Sequence, residues 1–243
     1  MTIKETTALV TGASSGIGES IAKQLLENGY RVIGTSRDKQ RLSHLQPSAE
    51  GRFFALELDV TDTNSIETLF QRLPGQWREI DVLINNAGSD IGGRKPFHLG
   101  DPKNWRNTIE TNVQGVIHLT HQLLPAMIKQ DFGDIVNIGS TSGLRPLPTL
   151  AAYTASKHAM DGFSESLRME LEETGIRVMQ VLPGMVRTGF AAARYADQKQ
   201  GDQFYDDFGK WLFPEDVART VIFALQQPRH MVISRLVVVP KPV

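Results

Sequence analysis

The sequence predicts a doubly wound α/β fold, a parallel sheet of about seven strands flanked by helices on both faces. Three observations carry this reading. Short runs rich in Val, Ile and Leu alternate with longer amphipathic stretches. The first such run passes directly into a glycine-rich turn and a helical stripe. No linker, repeat or low-complexity tract interrupts the 243 residues, so a single domain over 1–243 is expected.

The runs at 7–10, 31–35, 52–58, 82–85, 134–139, 177–182 and 231–239 are the expected strands. Parallel strands need crossovers, and the sequence supplies them. Ile17, Ile21, Ala22 and Leu25 recur at helical spacing, as do Ile66, Leu69, Phe70 and Leu73. Residues 105–130 and 153–173 read as long helices, and Pro214 followed by Glu215 and Asp216 opens a last one. The stretch 189–213 mixes Phe190, Tyr195, Phe204, Tyr205, Phe208 and Trp211 with charged residues and has no single period. It follows a strand end, where such sheets bind ligands, so a substrate lid is expected there; two short surface helices are the alternative.

Composition excludes several functions. A formal charge of -1 gives no field for nucleic acid or anionic lipid, and neither a nucleic-acid nor a membrane partner is expected. No cysteine is present, which rules out disulfides, thiolate nucleophiles and cysteine-bound zinc. The polar start lacks the apolar core of a secretory signal and no apolar run is long enough to span a bilayer, so a cytoplasmic location is expected. His118 and His121 have a metal-compatible spacing but no third ligand close in sequence, and no metal site is expected.

Chemistry begins at the turn Thr11-Gly12-Ala13-Ser14-Ser15-Gly16-Ile17-Gly18. Glycines there allow close backbone approach, and the helix that starts at Ile17 turns free N–H groups and a positive dipole end toward a pyrophosphate. A strand, a glycine turn and a helix in this order make a Rossmann-type dinucleotide site. The second strand ends at Ser36-Arg37 where an NAD enzyme would place an acid. Ser36 does not repel a 2′-phosphate and Arg37 can pair with one, so NADP(H) is the expected cofactor. Asp38 is expected to cap the next helix instead of meeting the ribose.

Tyr153 and Lys157 stand four apart on one helix face. A neighbouring ammonium stabilises a phenolate, which is how a tyrosine becomes a usable acid or base, although the spacing alone is common. Ser140 is delivered by a strand end and can hold a substrate oxygen, with Ser142 as an auxiliary donor. Asn112 interrupts a helix in which asparagine is a mediocre former, which hints at a side-chain role.

With these residues in place the chain resembles the short-chain dehydrogenase/reductases over nearly its whole length. The matching motifs are Thr11-Gly12-x-x-x-Gly16-x-Gly18, Asp59 after the third strand, Asn85-Asn86-Ala87-Gly88 after the fourth, and Pro183-Gly184 with Thr188 after the sixth. The resemblance implies that Asn112, Ser140, Tyr153 and Lys157 form a catalytic tetrad. It further implies that Asp59 and Val60 meet adenine, Asn86, Ala87 and Gly88 the cofactor backbone, and Pro183, Gly184 and Thr188 the nicotinamide end, with Tyr153 and Lys157 also beside the cofactor.

Within the family the chain is similar to bacterial 3-hydroxy acid (serine-type) dehydrogenases. The stretches that carry this are Leu73-Pro74-x-x-Trp77-x-x-Ile80-Asp81, 137–143 and Phe190-x-x-x-Arg194-Tyr195. The implied activity is NADP(H)-dependent interconversion of a small 3-hydroxy acid and its semialdehyde or keto acid. A carbonyl reductase for neutral compounds and a non-catalytic NADP(H) sensor are the alternatives, and an intact tetrad disfavours the sensor. An acidic substrate needs a cation, for which Arg194 is the first candidate, ahead of Arg145 and Arg187. Ala155, Ala159 and Gly162 would let the Tyr153 helix pack closely against a second copy, and the family implies a homodimer or homotetramer.

Overall fold

The computed structural model describes residues 6–46 and 51–241; the polar start at residues 1–5 lies outside the described residues. Seven parallel strands run β1 (Thr7–Val10), β2 (Arg31–Ser36), β3 (Phe53–Glu57), β4 (Val82–Asn85), β5 (Gly133–Ile138), β6 (Ile176–Pro183) and β7 (Arg235–Val238). Their order across the sheet is β3-β2-β1-β4-β5-β6-β7. The winding direction therefore reverses between β1 and β4, the place where a doubly wound sheet opens a crevice beyond its strand ends.

Both faces of the sheet are covered, which is why β1, β4, β5 and β6 are buried at every position. On one face Ala8, Val10, Ile84, Val136 and Val181 pack with α1 (Gly16–Glu27) and α9 (Pro214–Leu225). On the other, Leu9, Leu83, Ile135 and Val178 pack with α2 (Thr63–Glu67), α3 (Leu69–Arg72), α5 (Gly115–Gln130) and α6 (Ala151–Glu170).

The helix expected over 66–73 is two helices. Thr68 ends α2 with its hydroxyl bonded back to the Asn64 carbonyl at 2.7 Å, and α3 restarts at Leu69. The long helix begins earlier than expected, with Asp101 capping α4 (Pro102–Ile109) through the Lys103 amide, and a π-helical turn, Glu110–Gln114, joins it to α5. The residues at 189–213 form α7 (Phe190–Tyr195) and α8 (Gln198–Phe208), both anchored by buried side chains. The final strand is shorter than the apolar run at 231–239, because Met231 closes a turn onto Pro228. Among the described residues no helix is long and apolar enough to cross a membrane.

One buried ion pair holds the floor of β5 and β6. Arg177 grips Asp134 with two bonds, Nε to Oδ1 at 2.7 Å and Nη2 to Oδ2 at 2.9 Å, and its remaining donors reach the carbonyls of Leu225, Gln227 and Met231. Arg229 adds a bond to Asp134 at 2.8 Å. Removing the acid would strand a buried guanidinium. Asp134→Ala is expected to lower the unfolding free energy by about 3 kcal/mol in urea titration, and an unchanged midpoint would refute this.

Candidate active site

Three loops at the strand ends wall the crevice between β1 and β4. The first is the glycine turn. Gly16 has φ +57°, and a Cβ on Gly18 would lie 2.3 Å from the Gly12 carbonyl oxygen and 2.4 Å from Asn86 Nδ2, so neither position accepts a side chain without displacement. Ser15 precedes α1 and makes no side-chain capping bond, so its side chain does not satisfy the first-turn amides of the helix. The second wall is Asn86-Ala87-Gly88. Asn86 Nδ2 donates to the Thr11 carbonyl at 2.9 Å, so this side chain secures the turn. The third is the loop after β6, where the Thr188 methyl lies 3.2 Å from where a Gly16 Cβ would be, while Pro183 and Gly184 continue β6, the Gly184 amide bonded to Val238.

Ser36 and Ser14 hydroxyls are 3.3 Å apart, and Arg37 is exposed and makes no hydrogen bond or ion pair among the described residues. Asp38 is turned away as a cap, accepting from the Gln40 amide at 2.9 Å. Asp59 accepts from the Thr61 amide and hydroxyl through Oδ1, with no bond to Oδ2 among the described residues, and the adjacent Val60 carbonyl lies against Gly115 of α5. A side-chain-free cradle, open helix amides and an unpaired arginine beside two hydroxyls fit a dinucleotide with a 2′-phosphate.

Tyr153 and Lys157 stand one turn apart on α6, with Nζ 5.7 Å from the ring centroid. Lys157 is buried, and Nζ donates to the Ile138 carbonyl at 3.0 Å. Two residues further on, Ser140 Oγ accepts from the buried Ser142 amide at 3.1 Å and is hydrogen-bonded to the Tyr153 hydroxyl. Burial lowers the Lys157 ammonium to about 8. Burial also raises Tyr153, against lowering influences from the Ser140 bond and the Arg194 charge and a raising one from Asp90. The expected lowering of Tyr153 by Lys157 is therefore not what dominates: desolvation outweighs it, and the acting cation is Arg194.

Asn112 sits in the π-helical turn and is buried. Its Oδ1 accepts from the Ser89 amide at 2.7 Å, and Nδ2 donates to the Ser89 carbonyl at 2.9 Å and to Ser156 Oγ at 3.0 Å. Ser156 Oγ in turn donates to the Tyr153 carbonyl at 2.7 Å. All four tetrad residues are thus brought to one place, with Ser89 and Ser156 as intermediaries that sequence reasoning missed.

Of the three arginines, only Arg194 faces this group. Its guanidinium carbon lies 6.0 Å from the Tyr153 ring centroid, 5.4 Å from Phe190 and 5.5 Å from Phe204, and its Nε donates to Asp90 Oδ2 at 2.6 Å. Burial raises the Asp90 carboxyl, with the Arg194 charge and hydrogen bond opposing. Arg187 is stacked on Trp211 at 4.6 Å and paired with Asp206, and Arg145 is exposed with no side-chain bond among the described residues. Asp90 was not foreseen; no spacing marks it, and its partner is 104 residues away. His118 lies 4.0 Å from Glu67, and among the described residues no group of three or more His, Asp or Glu could hold a metal.

A parallel sheet carrying a glycine turn at its switch point defines a Rossmann-type nucleotide-binding protein. The sequence model of the short chain dehydrogenase family matches residues 6–199, and the chain belongs to that family. It is 38% identical over 235 residues to an NADP-dependent 3-hydroxy acid dehydrogenase of Salmonella typhi, covering 96% of this chain and 94% of that one. It is 34% identical to serine 3-dehydrogenase of Agrobacterium fabrum over 96% of this chain and 93% of that protein. Among solved structures, the closed form of serine dehydrogenase complexed with NADP+ superimposes with a TM-score of 0.91 at 34% identity, over 96% and 94% of the two chains.

The lysine makes stability depend on pH. Its folded-state value of about 8 lies below the ordinary 10.5, so the unfolded chain binds the extra proton between these values and stability rises with pH through that window. Between pH 7 and 9.5 the wild type should gain about 2 kcal/mol relative to Lys157→Met in urea unfolding. A pH-independent difference between the two proteins would contradict a buried ammonium.

Proposed function

We propose that this chain is an NADP(H)-dependent oxidoreductase that interconverts a small 3-hydroxy acid and its semialdehyde or keto acid. One observation carries the reading: the Tyr153 hydroxyl, bonded to Ser140, lies beside a buried arginine in the crevice of a dinucleotide fold. The names of the relatives support both the cofactor and the substrate class.

Gly12, Ser14, Ser15, Gly16, Ile17 and Gly18 would take the pyrophosphate, Ser36 and Arg37 the 2′-phosphate, and Asp59 and Val60 the adenine. Asn86, Ala87 and Gly88, with Pro183, Gly184 and Thr188, would border the nicotinamide half, alongside Tyr153 and Lys157. When bound, NADPH supplies the hydride. Ser140 orients the substrate oxygen, assisted by Ser142. The Tyr153 phenol, protonated at neutral pH at its ordinary value and raised further by desolvation, gives its proton to that oxygen on reduction, and the phenolate takes it back on oxidation. Lys157, largely protonated at neutral pH with its value near 8, places its charge below the phenolate. Asn112 fixes the helix through Ser156 and supports the proton path. Arg194 receives the substrate's acid group.

Residues 189–213 act as the lid, since α7 brings Arg194 and Phe190 to the tyrosine. Ala155, Ala159 and Gly162 form an exposed small-residue strip on α6, which suits a homodimer or homotetramer. A cytoplasmic location accords with the cysteine-free sequence. Neutral aldehydes and ketones are the second reading, favoured by Asp90, whose charge opposes that of Arg194.

Assays of NADP reduction or NADPH oxidation over serine, 3-hydroxypropionate, 3-hydroxyisobutyrate, sulfoacetaldehyde and neutral ketones decide between the two. Turnover of ketones alone would overturn the acid reading. Tyr153→Phe should lower kcat at least about 100-fold while NADPH still binds. Arg37→Ala should raise KM for NADPH about tenfold and leave that for NADH unchanged, since one charge-assisted contact is lost; equal effects on both cofactors would refute the 2′-phosphate assignment.

A further inference from the structure

The buried Asp90–Arg194 pair differs from the buried Asp134–Arg177 pair. Arg177 spends both edges of its guanidinium, two bonds on Asp134 and the rest on carbonyls. Arg194 gives Asp90 a single bond from Nε, and its Nη1 and Nη2 make no hydrogen bond among the described residues. Both partners are nearly enclosed, Asp90 at 9% and Arg194 at 7% exposure, while the unbonded Nη1 and Nη2 keep a small accessible surface. An ion pair serving stability alone would close with both edges, as Arg177 does.

The segment that carries Asp90 holds Arg194 a second time. The amides of Gly92 and Gly93 both donate to the Arg194 carbonyl, at 3.1 and 2.8 Å. Two successive amides reach one oxygen because these glycines have φ of +105° and +72°. Arg194 is thus fixed at its backbone by 92–93 and at Nε by Asp90. The free edge of its guanidinium remains, in a wall made by Tyr153, Phe190 and Phe204. Charge allows an anion there. Arg94, close enough to act on the Asp90 carboxyl, bonds through its guanidinium to the Pro148 carbonyl and the Thr149 hydroxyl, so Asp90, Arg194 and Arg94 carry a net positive charge before substrate arrives.

We propose that Asp90 is a specificity-determining positioning residue: its carboxylate grips Arg194 Nε and so presents the Nη1/Nη2 edge as a two-point receptor for the carboxylate of a hydroxy acid. This rests on the acid-substrate reading of the site. Asp90 acts through Arg194, so its loss should show in recognition of the acid group. The aspartate also gives discrimination, because an arginine left to rotate would pair with any anion, whereas a fixed fork selects a planar carboxylate in register with Tyr153.

The test compares wild type with Asp90→Ala, Asp90→Asn and Arg194→Ala on 3-hydroxypropionate and on a neutral ketone or its alcohol, with NADPH binding by fluorescence as the check of folding. Asp90→Ala should lower the acid-to-neutral ratio of kcat/KM at least tenfold, mostly through KM for the acid. Asp90→Asn, which keeps an acceptor for Nε, should recover most of that ratio. Equal loss on both substrates in Asp90→Ala, or an Asn variant no better than Ala, would overturn the proposal while the acid reading stands. If Arg194→Ala loses equally on both substrates, the acid reading itself fails. Should Asp90→Ala not bind NADPH, Asp90→Ser, too short to reach Nε, is read in its place.

Discussion

The site depends on how the chain is held where β1 and β4 part. Beyond their last paired residues the two strands send their chains to opposite faces, and the backbone groups at the split lose the sheet as a partner. Thr11 and Asn86 replace it. The Thr11 amide and hydroxyl both donate to the Ile84 carbonyl, and Thr11 Oγ1 accepts from the amides of Asn86 and Ala87 at 2.9 Å each. Asn86 Nδ2 returns to the Thr11 carbonyl, and the same amide nitrogen is what a side chain on Gly18 would strike. The glycines are thus demanded twice, by the clamp beneath them and by the phosphate expected above.

From this floor the reactive helix is set by a buried polar row. Asn85, Asn137 and Gln180 are register neighbours on β4, β5 and β6. Asn85 donates to Asn137, Asn137 to Ser164 on α6, and both Ser164 and Gln180 to the Met160 carbonyl. A buried network of this kind is destabilising when incomplete and specifying when every member is paired. It fixes the height of α6 on the sheet, and Lys157, one turn earlier, completes the hold through Ile138. The lysine's depressed pKa is a result of that placement, since the position that locks the helix is also dry.

Most of the fold was legible because its signals are local. The strands at 7–10 and 82–85 are bounded as the Val/Ile/Leu runs predict, and Asp38 caps its helix as its place after Arg37 suggests. Errors arose where a local alternative or a distant partner decided. Thr68 splits a helix by bonding its own backbone. The apolar residues at 231–232 are exposed and turn before the edge strand begins. In the site, the i, i+4 spacing of Tyr153 and Lys157 was readable, but its electrostatic outcome was not. How far each group is desolvated, and that Arg194 acts on the phenol across the crevice, are tertiary facts.

The segment at 189–213 is tied to the crevice by bonds at its reactive features. The Tyr205 hydroxyl accepts from the Thr188 amide at 3.2 Å, and Arg194 reaches Asp90, Gly92 and Gly93. At its far end the Leu212 amide donates to the Met185 carbonyl at 2.8 Å and the Arg187 amide to the Leu212 carbonyl at 2.9 Å, Tyr153 meets Phe190 across the crevice, and Tyr195, Phe204, Tyr205 and Trp211 pack on one another within the segment. A pair of short helices at the rim of the sheet would open at lower free energy than the strands beneath, which suits the proposed lid. Opening would also carry Arg194 away from Tyr153 and remove its charge from the phenol. In the proposed reading closure would join two events in one movement, the arrival of a cation for an acid group and a change in the charge felt by the Tyr153 phenol.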